Sequence, residues 1–224
     1  MNDLNLYSKV YSGPFNEKVV NLIKPQHKVI LDVGCGAGQI ASYLNSKAKV
    51  YGITLSASES EIASKYCEKV FIYNLDNGLP NEVKNISFDL IICSHVLEHI
   101  VYPEPLLTDL KVLCDNNTDL EIIVALPNIM HYRYRIPIIF GKFNYDYAGV
   151  MDYTHVKWYT FESIKILLNK YNFMNIFIIN DCVIPFKRST SILPKYITRW
   201  IQKFLFSISK SWFSGQIIII AKRN

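Results

Sequence analysis

The run Ile30-Leu31-Asp32-Val33-Gly34-Cys35-Gly36-Ala37-Gly38 carries the densest chemical signal in this 224-residue chain. Apolar residues lead into an aspartate, and three glycines follow at alternate positions. Glycine permits positive φ and leaves no Cβ between the backbone and a bound molecule. Placed between a buried strand and a helix, such a loop sits where parallel sheets bind ligands. Spacing separates the ligands it could take. A dinucleotide fingerprint, GxGxxG, needs its third glycine where Gln39 stands. A phosphate loop needs a Gly-Lys-Ser/Thr ending, which is absent. The reading without a ligand is a tight strand-to-helix turn.

Asp32 followed by Gly34-x-Gly36-x-Gly38 resembles motif I of class I methyltransferases. The resemblance implies S-adenosyl-L-methionine as cofactor and S-adenosyl-L-homocysteine as its product. It assigns Asp32, Gly34, Cys35, Gly36 and Gly38 to the cradle for the cofactor's methionine part and sugar. Family members usually end the second strand with an acid that accepts from the ribose hydroxyls. Here Thr54 holds that position, in Gly52-Ile53-Thr54-Leu55-Ser56, a run similar to one in cyclopropane-fatty-acid-synthase relatives. Ser56 and Glu59 are further candidates for the ribose. Asn74-Leu75-Asp76-Asn77-Gly78 resembles the segment that holds the adenine, with either Asn74 or Asp76 as its polar contact. The strand and loop from Ser87 to His99 resemble the family's central strand, which places Ser94 and His95 in the cofactor shell. Together these segments span Val29 to Leu126.

The acceptor side is expected after the fifth strand. The Pro127-Asn128 turn, Gly141-Lys142-Phe143-Asn144-Tyr145 and Asp152-Tyr153-Thr154-His155-Val156-Lys157-Trp158-Tyr159-Thr160 resemble a bacterial subgroup of type-11/12 methyltransferases. Members of that subgroup often serve surface-polysaccharide pathways, which implies a sugar or small-metabolite acceptor, O-methylated. Lys157 stands where an arginine is usual, which keeps the charge and loses the bidentate fork. Methyl transfer from a sulfonium is an in-line displacement, so alignment can contribute roughly 7–11 kcal/mol. A hydroxyl acceptor also needs a base, and histidine suits neutral pH. His155, oriented by Asp152 in an Asp-x-Thr-His turn, is the first candidate and His131 the second. The bracing alternative has Asp152 and His155 pinning the insertion to the domain. His95-x-x-Glu98-His99 is similar to a metal-binding cluster of quinone-biosynthesis O-methyltransferases. His95 replaces an acid there, and no metal is expected.

These residues need elements to position them. Apolar runs alternate with helical patterns, the signature of a sheet covered on both faces. Strands are expected at Lys28–Val33, Lys49–Thr54, Val70–Asn74, Phe88–Cys93, Leu120–Leu126, Asn175–Val183 and Gln216–Lys222. Helices are expected from Gly38, from Ser58 (with Glu61 completing a capping box), over Glu104–Cys114 and from Thr160. The fold class is therefore α/β, a Rossmann-like seven-stranded, mostly parallel sheet with helices on both faces and an antiparallel last strand. Residues 1–224 are expected to form a single class I methyltransferase domain. It carries two insertions: 128–159 on the substrate side and 185–215, basic and amphipathic. The second contains six basic and no acidic residues, with Ile197, Trp200, Ile201, Phe204, Leu205 and Ile208 at helical spacing.

Composition narrows the remaining possibilities. Half of the chain is apolar and 13% aromatic, which excludes disorder. A net charge of +5 does not by itself indicate nucleic acid, and none is expected as a partner. Five scattered cysteines without CxxC pairs point to a reducing compartment. Met1 to Val10 lacks the apolar core of a signal peptide, and no apolar run approaches the roughly 20 residues needed to cross a bilayer. A cytoplasmic protein is expected, with residues 195–213 available to touch the inner face of the membrane. Competing readings are a catalytically weak scaffold that binds the cofactor, and a methyltransferase acting on RNA, protein or quinone-like acceptors.

Overall fold

A computed structural model describes residues 15–44, 47–183 and 194–223. Seven strands form one sheet: β1 (Val29–Val33), β2 (Lys49–Thr54), β3 (Lys69–Ile72), β4 (Leu90–Ser94), β5 (Glu121–Pro127), β6 (Asn175–Ile179) and β7 (Gln216–Lys222). Their order is β3-β2-β1-β4-β5-β7-β6. Strands β1 to β5 pair in parallel, while β7 runs antiparallel to both of its neighbours.

The middle strands are apolar because both of their faces are covered. Alternate residues divide between two cores. Leu31, Val33, Ile91, Cys93, Ile122, Val124 and Leu126 face one side; Ile30, Leu90, Ile92, Ile123 and Ala125 face the other. Each buried Leu, Ile or Val contributes about 1.5–3 kcal/mol, so both faces of the central strands add to stability.

Eight helices connect or flank the strands among the described residues: α1 (Glu17–Val20), α2 (Gln39–Leu44), α3 (Ala57–Ala63), α4 (Asn81–Lys84), α5 (Pro103–Asn116), α6 (Tyr132–Ile139), α7 (Phe161–Lys170) and α8 (Lys195–Phe213). Short 3₁₀ turns occupy Leu75–Asn77 and Leu97–His99. Thr160 and Ser163 close a reciprocal capping box on α7.

Several sequence expectations change. The cap of α3 is Ser56, whose side chain accepts from Glu59 N–H, rather than Ser58. Strand β5 runs one residue beyond the expected Leu126 and stops at Pro127, paired with Gln216, where no further ladder donor is required of it. The sixth strand stops at Ile179, short of Val183. The 128–159 segment contains α6, which its sequence hid, since Pro137 lies inside the helix and its cap is a histidine. Helix α8 is interrupted at Ser209, whose backbone is extended. Residues 184–193 of the basic insertion lie outside the described residues.

The strand order reverses between β1 and β4. The crevice that usually takes the ligand of an open α/β sheet lies beyond the carboxyl ends of these two strands. Asp32 pairs with Ile92 and Val33 with Cys93, so the loops that follow leave the sheet side by side.

Candidate active site

The loop after β1 turns on three glycines in the left-handed region: Gly34 at φ 73°, Gly36 at 52° and Gly38 at 79°. Two of them are different in kind. A Cβ on Gly38 would stand 2.9 Å from Ala63 Cα, so this residue lets α3 pack against the loop. A Cβ on Gly36 would meet only side-chain atoms, Gln39 Oε1 at 3.3 Å and Glu59 Oε1 at 3.7 Å. Gly36 therefore faces a space bordered by an amide and a carboxylate. Cys35 belongs to the loop through its backbone; its N–H donates to Ile53 O at 2.8 Å. Its side chain is buried, and burial pushes the thiol far above its usual range.

Asp32 is 2% exposed at the end of β1. Burial alone raises its carboxyl to about 7, so near neutrality about half of the molecules keep a proton there that an exposed aspartate would have lost.

Thr54 does not offer a carboxylate, but it positions one. Its hydroxyl donates to Glu59 Oε2 at 2.7 Å and accepts from Ser56 N–H at 3.2 Å. Helix α3 thus brings the buried Glu59 to the end of β2, beside Thr54. The sequence offered Glu59, with Ser56, as a further candidate beside Thr54; the Ser56 cap, three residues before Glu59, is what brings the Thr54 and Glu59 side chains together.

In the next loop Asn74 accepts from Asp76 N–H at 3.0 Å, and Asp76 Oδ1 accepts from Tyr102 N–H at 2.9 Å. Asn74 is exposed and caps the 3₁₀ turn, while Leu75 packs on the core beneath.

The loop after β4 holds the least relaxed backbone at the site. His95 has φ 57°, a left-handed conformation that costs a non-glycine residue about 1–3 kcal/mol and tends to persist where function requires it. Its N–H donates to Ala125 O at 2.9 Å. Nδ1 lies 3.2 Å from Glu98 Oε1, and the Glu98 side chain is fully buried. A carboxylate can only accept, so His95 carries a proton on Nδ1, and in the neutral ring the lone pair is on Nε2. Asn16 Nδ2 lies 3.5 Å from that Nε2 and from Ser94 Oγ. The ring's side chain is 43% exposed. Desolvation lowers its proton affinity, but the hydrogen bond and charge of Glu98 and a hydrogen bond with Gln216 outweigh it, and His95 titrates above the usual histidine range.

The three residues expected to be catalytic lie deeper. His131 caps α6, its Nδ1 accepting from Arg133 N–H at 3.4 Å, which leaves the ring proton on Nε2. Burial, aided by Arg133, pulls its pKa down to about 4. Asp152 Oδ1 accepts from Thr154 N–H at 2.8 Å and from its hydroxyl at 2.7 Å. His155 Nδ1 donates to Val150 O at 3.0 Å, and its Nε2 points inward, 4.0 Å from Glu98 Oε1. The backbone N–H groups of Val156 and Lys157 both donate to Glu98 O, at 2.9 and 3.1 Å. Asp152 and His155 are therefore brought together with the Leu97–His99 turn, whereas His131 stands apart on α6.

A seven-stranded sheet of this order, with a glycine loop and a carboxylate beyond β1 and β2, defines a Rossmann-like methyltransferase domain. Residues 14–176 match the family described as "Methyltransferase domain", and the chain belongs to that family. It carries a class I S-adenosylmethionine-dependent methyltransferase domain. A stretch of 80 residues, 35% of the chain, is 34% identical to the cyclopropane-fatty-acyl-phospholipid synthase of Escherichia coli K12, of which it covers 20%. Another of 89 residues, 34% of the chain, is 29% identical to the ubiquinone biosynthesis O-methyltransferase of Chromobacterium violaceum, of which it covers 35%. The chain thus matches about a fifth to a third of the length of these curated relatives. Among solved structures, a possible histamine N-methyltransferase of Thermotoga maritima superposes with a TM-score of 0.60 at 18% identity, covering 92% of this chain and 86% of that one. A methyltransferase of Archaeoglobus fulgidus gives 0.56 at 18% identity, with coverages of 89% and 87%. These likenesses establish the fold.

Proposed function

We propose that this chain transfers the methyl group of S-adenosylmethionine to a hydroxyl of a small acceptor, with His95 as the base and Glu98 holding it. Support comes from one arrangement: a strained, half-exposed histidine beside the glycine loop, with a buried carboxylate on its Nδ1 and a lone pair on its Nε2.

The residues fit the cofactor. Gly36 leaves room against the loop backbone, and the Glu59 carboxylate can accept from a ribose diol, with Thr54 fixing its orientation. Asp32, Gly34, Cys35 and Gly38 shape the cradle. Asn74, Leu75 and Asp76 border the adenine side, and Ser94 and His95 border the methionine side. When bound, the cofactor supplies an electrophilic methyl group. The chain's own task is then to hold the acceptor oxygen in line and take its proton on His95 Nε2, the buried Glu98 stabilising the imidazolium that results. A base placed in this way contributes about 10²–10⁴-fold. This assignment moves the base from His155, whose Nε2 faces the interior, to His95.

The finer acceptor reading is a sugar or related metabolite of surface-glycan synthesis. It rests on the resemblance of the 152–160 segment and on the aromatic rings of the same insertion, where Phe143, Tyr145 and Tyr153 are exposed and Phe143 and Tyr145 contact Trp158. Such faces suit the C–H side of a pyranose. A contact with anionic membrane is favoured by a separate observation. Tyr196, Trp200, Phe204 and Ile208, one turn apart on α8, are each 51–73% exposed, and α8 has no acidic residue. Lys18, Arg199 and Lys203 line one shallow cleft beside it. Among the described residues no helix is long and apolar enough to cross a membrane. Incubating the protein with methyl-labelled cofactor and fractionated nucleotide sugars, glycans and phenols, then reading label by mass spectrometry, tests the acceptor class. Label on sugar hydroxyls supports the reading; label confined to the phenols overturns it.

A further inference from the structure

We propose that Glu98, His99 and His155 form a binding site for one divalent transition-metal ion, with zinc as the best chemical fit, clasping the 128–159 insertion to the turn after β4. One ligand-capable atom from each of the three residues lies within 4.8 Å of the other two.

Proton positions make the cluster electron-rich. His155 Nδ1 bonds Val150 O at 3.0 Å, and His99 Nδ1 bonds Thr154 O at 3.2 Å. Carbonyl oxygens only accept, so both rings carry their proton on Nδ1. The Thr154 hydroxyl, 3.1 Å from His99 Nδ1, donates its own proton to Asp152 Oδ1 and so asks for the same tautomer. Each ring therefore keeps a bare lone pair on Nε2. That of His155 faces Glu98 Oε1 at 4.0 Å, with no proton assigned between them. The rings lie edge to face, 4.8 Å apart, at the same carboxylate.

Glu98 supplies the second, independent observation. It is 0% exposed, and its Oε2 has no hydrogen-bond partner among the described residues. A buried, unpartnered carboxylate oxygen is expensive and calls for a cation. Two imidazoles held through Nδ1–H to backbone carbonyls, the Nε2 of His155 facing Glu98, have the outer-shell pattern that fixes metal-binding histidines. Two nitrogens and one carboxylate suit zinc and its neighbours in the first transition row better than magnesium or calcium. Ligand atoms on a tetrahedral zinc sit about 3.3 Å apart, so the side chains need to close by roughly an ångström. Such a set leaves a fourth position for water. Because Glu98 also holds His95 through Oε1, the ion would share a ligand with the candidate base without touching that base.

The test uses the full chain, freed of any affinity tag, stripped with a chelator and shown to be folded by circular dichroism. Titration with zinc chloride and with cobalt chloride is expected to saturate at about one equivalent per chain, with the intense visible bands of four-coordinate cobalt and a rise in melting temperature. His99→Ala and His155→Ala are expected to lose at least about 100-fold in zinc affinity, while His95→Gln keeps the full equivalent. Failure of the methyltransferase reading would leave these results unchanged. The proposal is overturned if the folded wild-type chain takes up no saturable zinc or cobalt at millimolar concentration, or if both ligand variants bind as the wild type does. Should either variant fail to fold, the wild-type titration and cobalt spectrum decide alone.

Discussion

Glu98 Oε1 lies 3.2 Å from His95 Nδ1 and 4.0 Å from His155 Nε2, so one buried carboxylate addresses both histidines from opposite sides of a short turn. The two rings are not equivalent. The His95 side chain is 43% exposed, with Asn16 Nδ2 3.5 Å from its Nε2, whereas the His155 side chain is buried with its Nε2 toward Glu98.

His95→Gln is expected to lower kcat by about 10²–10⁴-fold while changing cofactor affinity little. Its pH–rate profile should lose the ascending limb, which in the wild type lies above the ordinary histidine range because Glu98 raises the pKa against desolvation. Steady-state kinetics across pH, once an acceptor is in hand, check this. Unchanged turnover in the variant would remove His95 from the chemistry.

Glu59→Gln removes the charge that Thr54 orients. Hydrogen bonds to a charged group contribute about 1.5–3 kcal/mol, so the Kd for S-adenosylhomocysteine should rise roughly 10–150-fold. Calorimetric titration measures it. Gly36→Val should weaken binding as well, since a β-branched residue resists φ 52° and its Cβ points at Gln39 and Glu59.

Asp32 gives a pH signature. Its folded pKa of about 7 lies above the value of 3.8 for a free carboxyl. The apo protein therefore holds this proton more tightly than the unfolded chain does. Its contribution to stability is greatest at low pH and is lost as pH rises from about 4 through 7. A cofactor with sulfonium and ammonium charges prefers the ionised aspartate. Affinity for S-adenosylmethionine should then climb between pH 6 and pH 7 and level off above it, as read by titration at several pH values. Asp32→Asn should flatten that climb.

For α8, Trp200→Ser with Phe204→Ser should abolish sedimentation with vesicles containing phosphatidylglycerol while leaving the melting temperature near that of the wild type, because both rings are exposed and stack on each other rather than on the core. Binding to neutral vesicles is expected to be weak throughout, since the flank of the stripe is basic. Equal sedimentation of variant and wild type would dismiss this face.

The sheet was legible because its strands are short apolar runs closed by turn residues, and β2 and β7 fall at their expected bounds. The glycine loop was legible because three left-handed positions in five residues leave little choice of residue. What the sequence hid were relations across space. That Thr54 serves Glu59 depends on where α3 starts, and Ser56 rather than Ser58 sets that start. Helix α6 was invisible because Pro137 and a histidine cap contradict the usual helix signals. His155 and Glu98 are 57 positions apart, and no local pattern shows that the insertion folds back on the Leu97–His99 turn.

Calorimetric titration of the purified chain with S-adenosylhomocysteine probes the glycine loop most directly. One site per chain is expected, at a micromolar Kd and with no competition from NADH. A folded chain that shows no heat with this nucleoside or with S-adenosylmethionine at millimolar concentration would contradict the assignment of residues 34–38 and everything built on it.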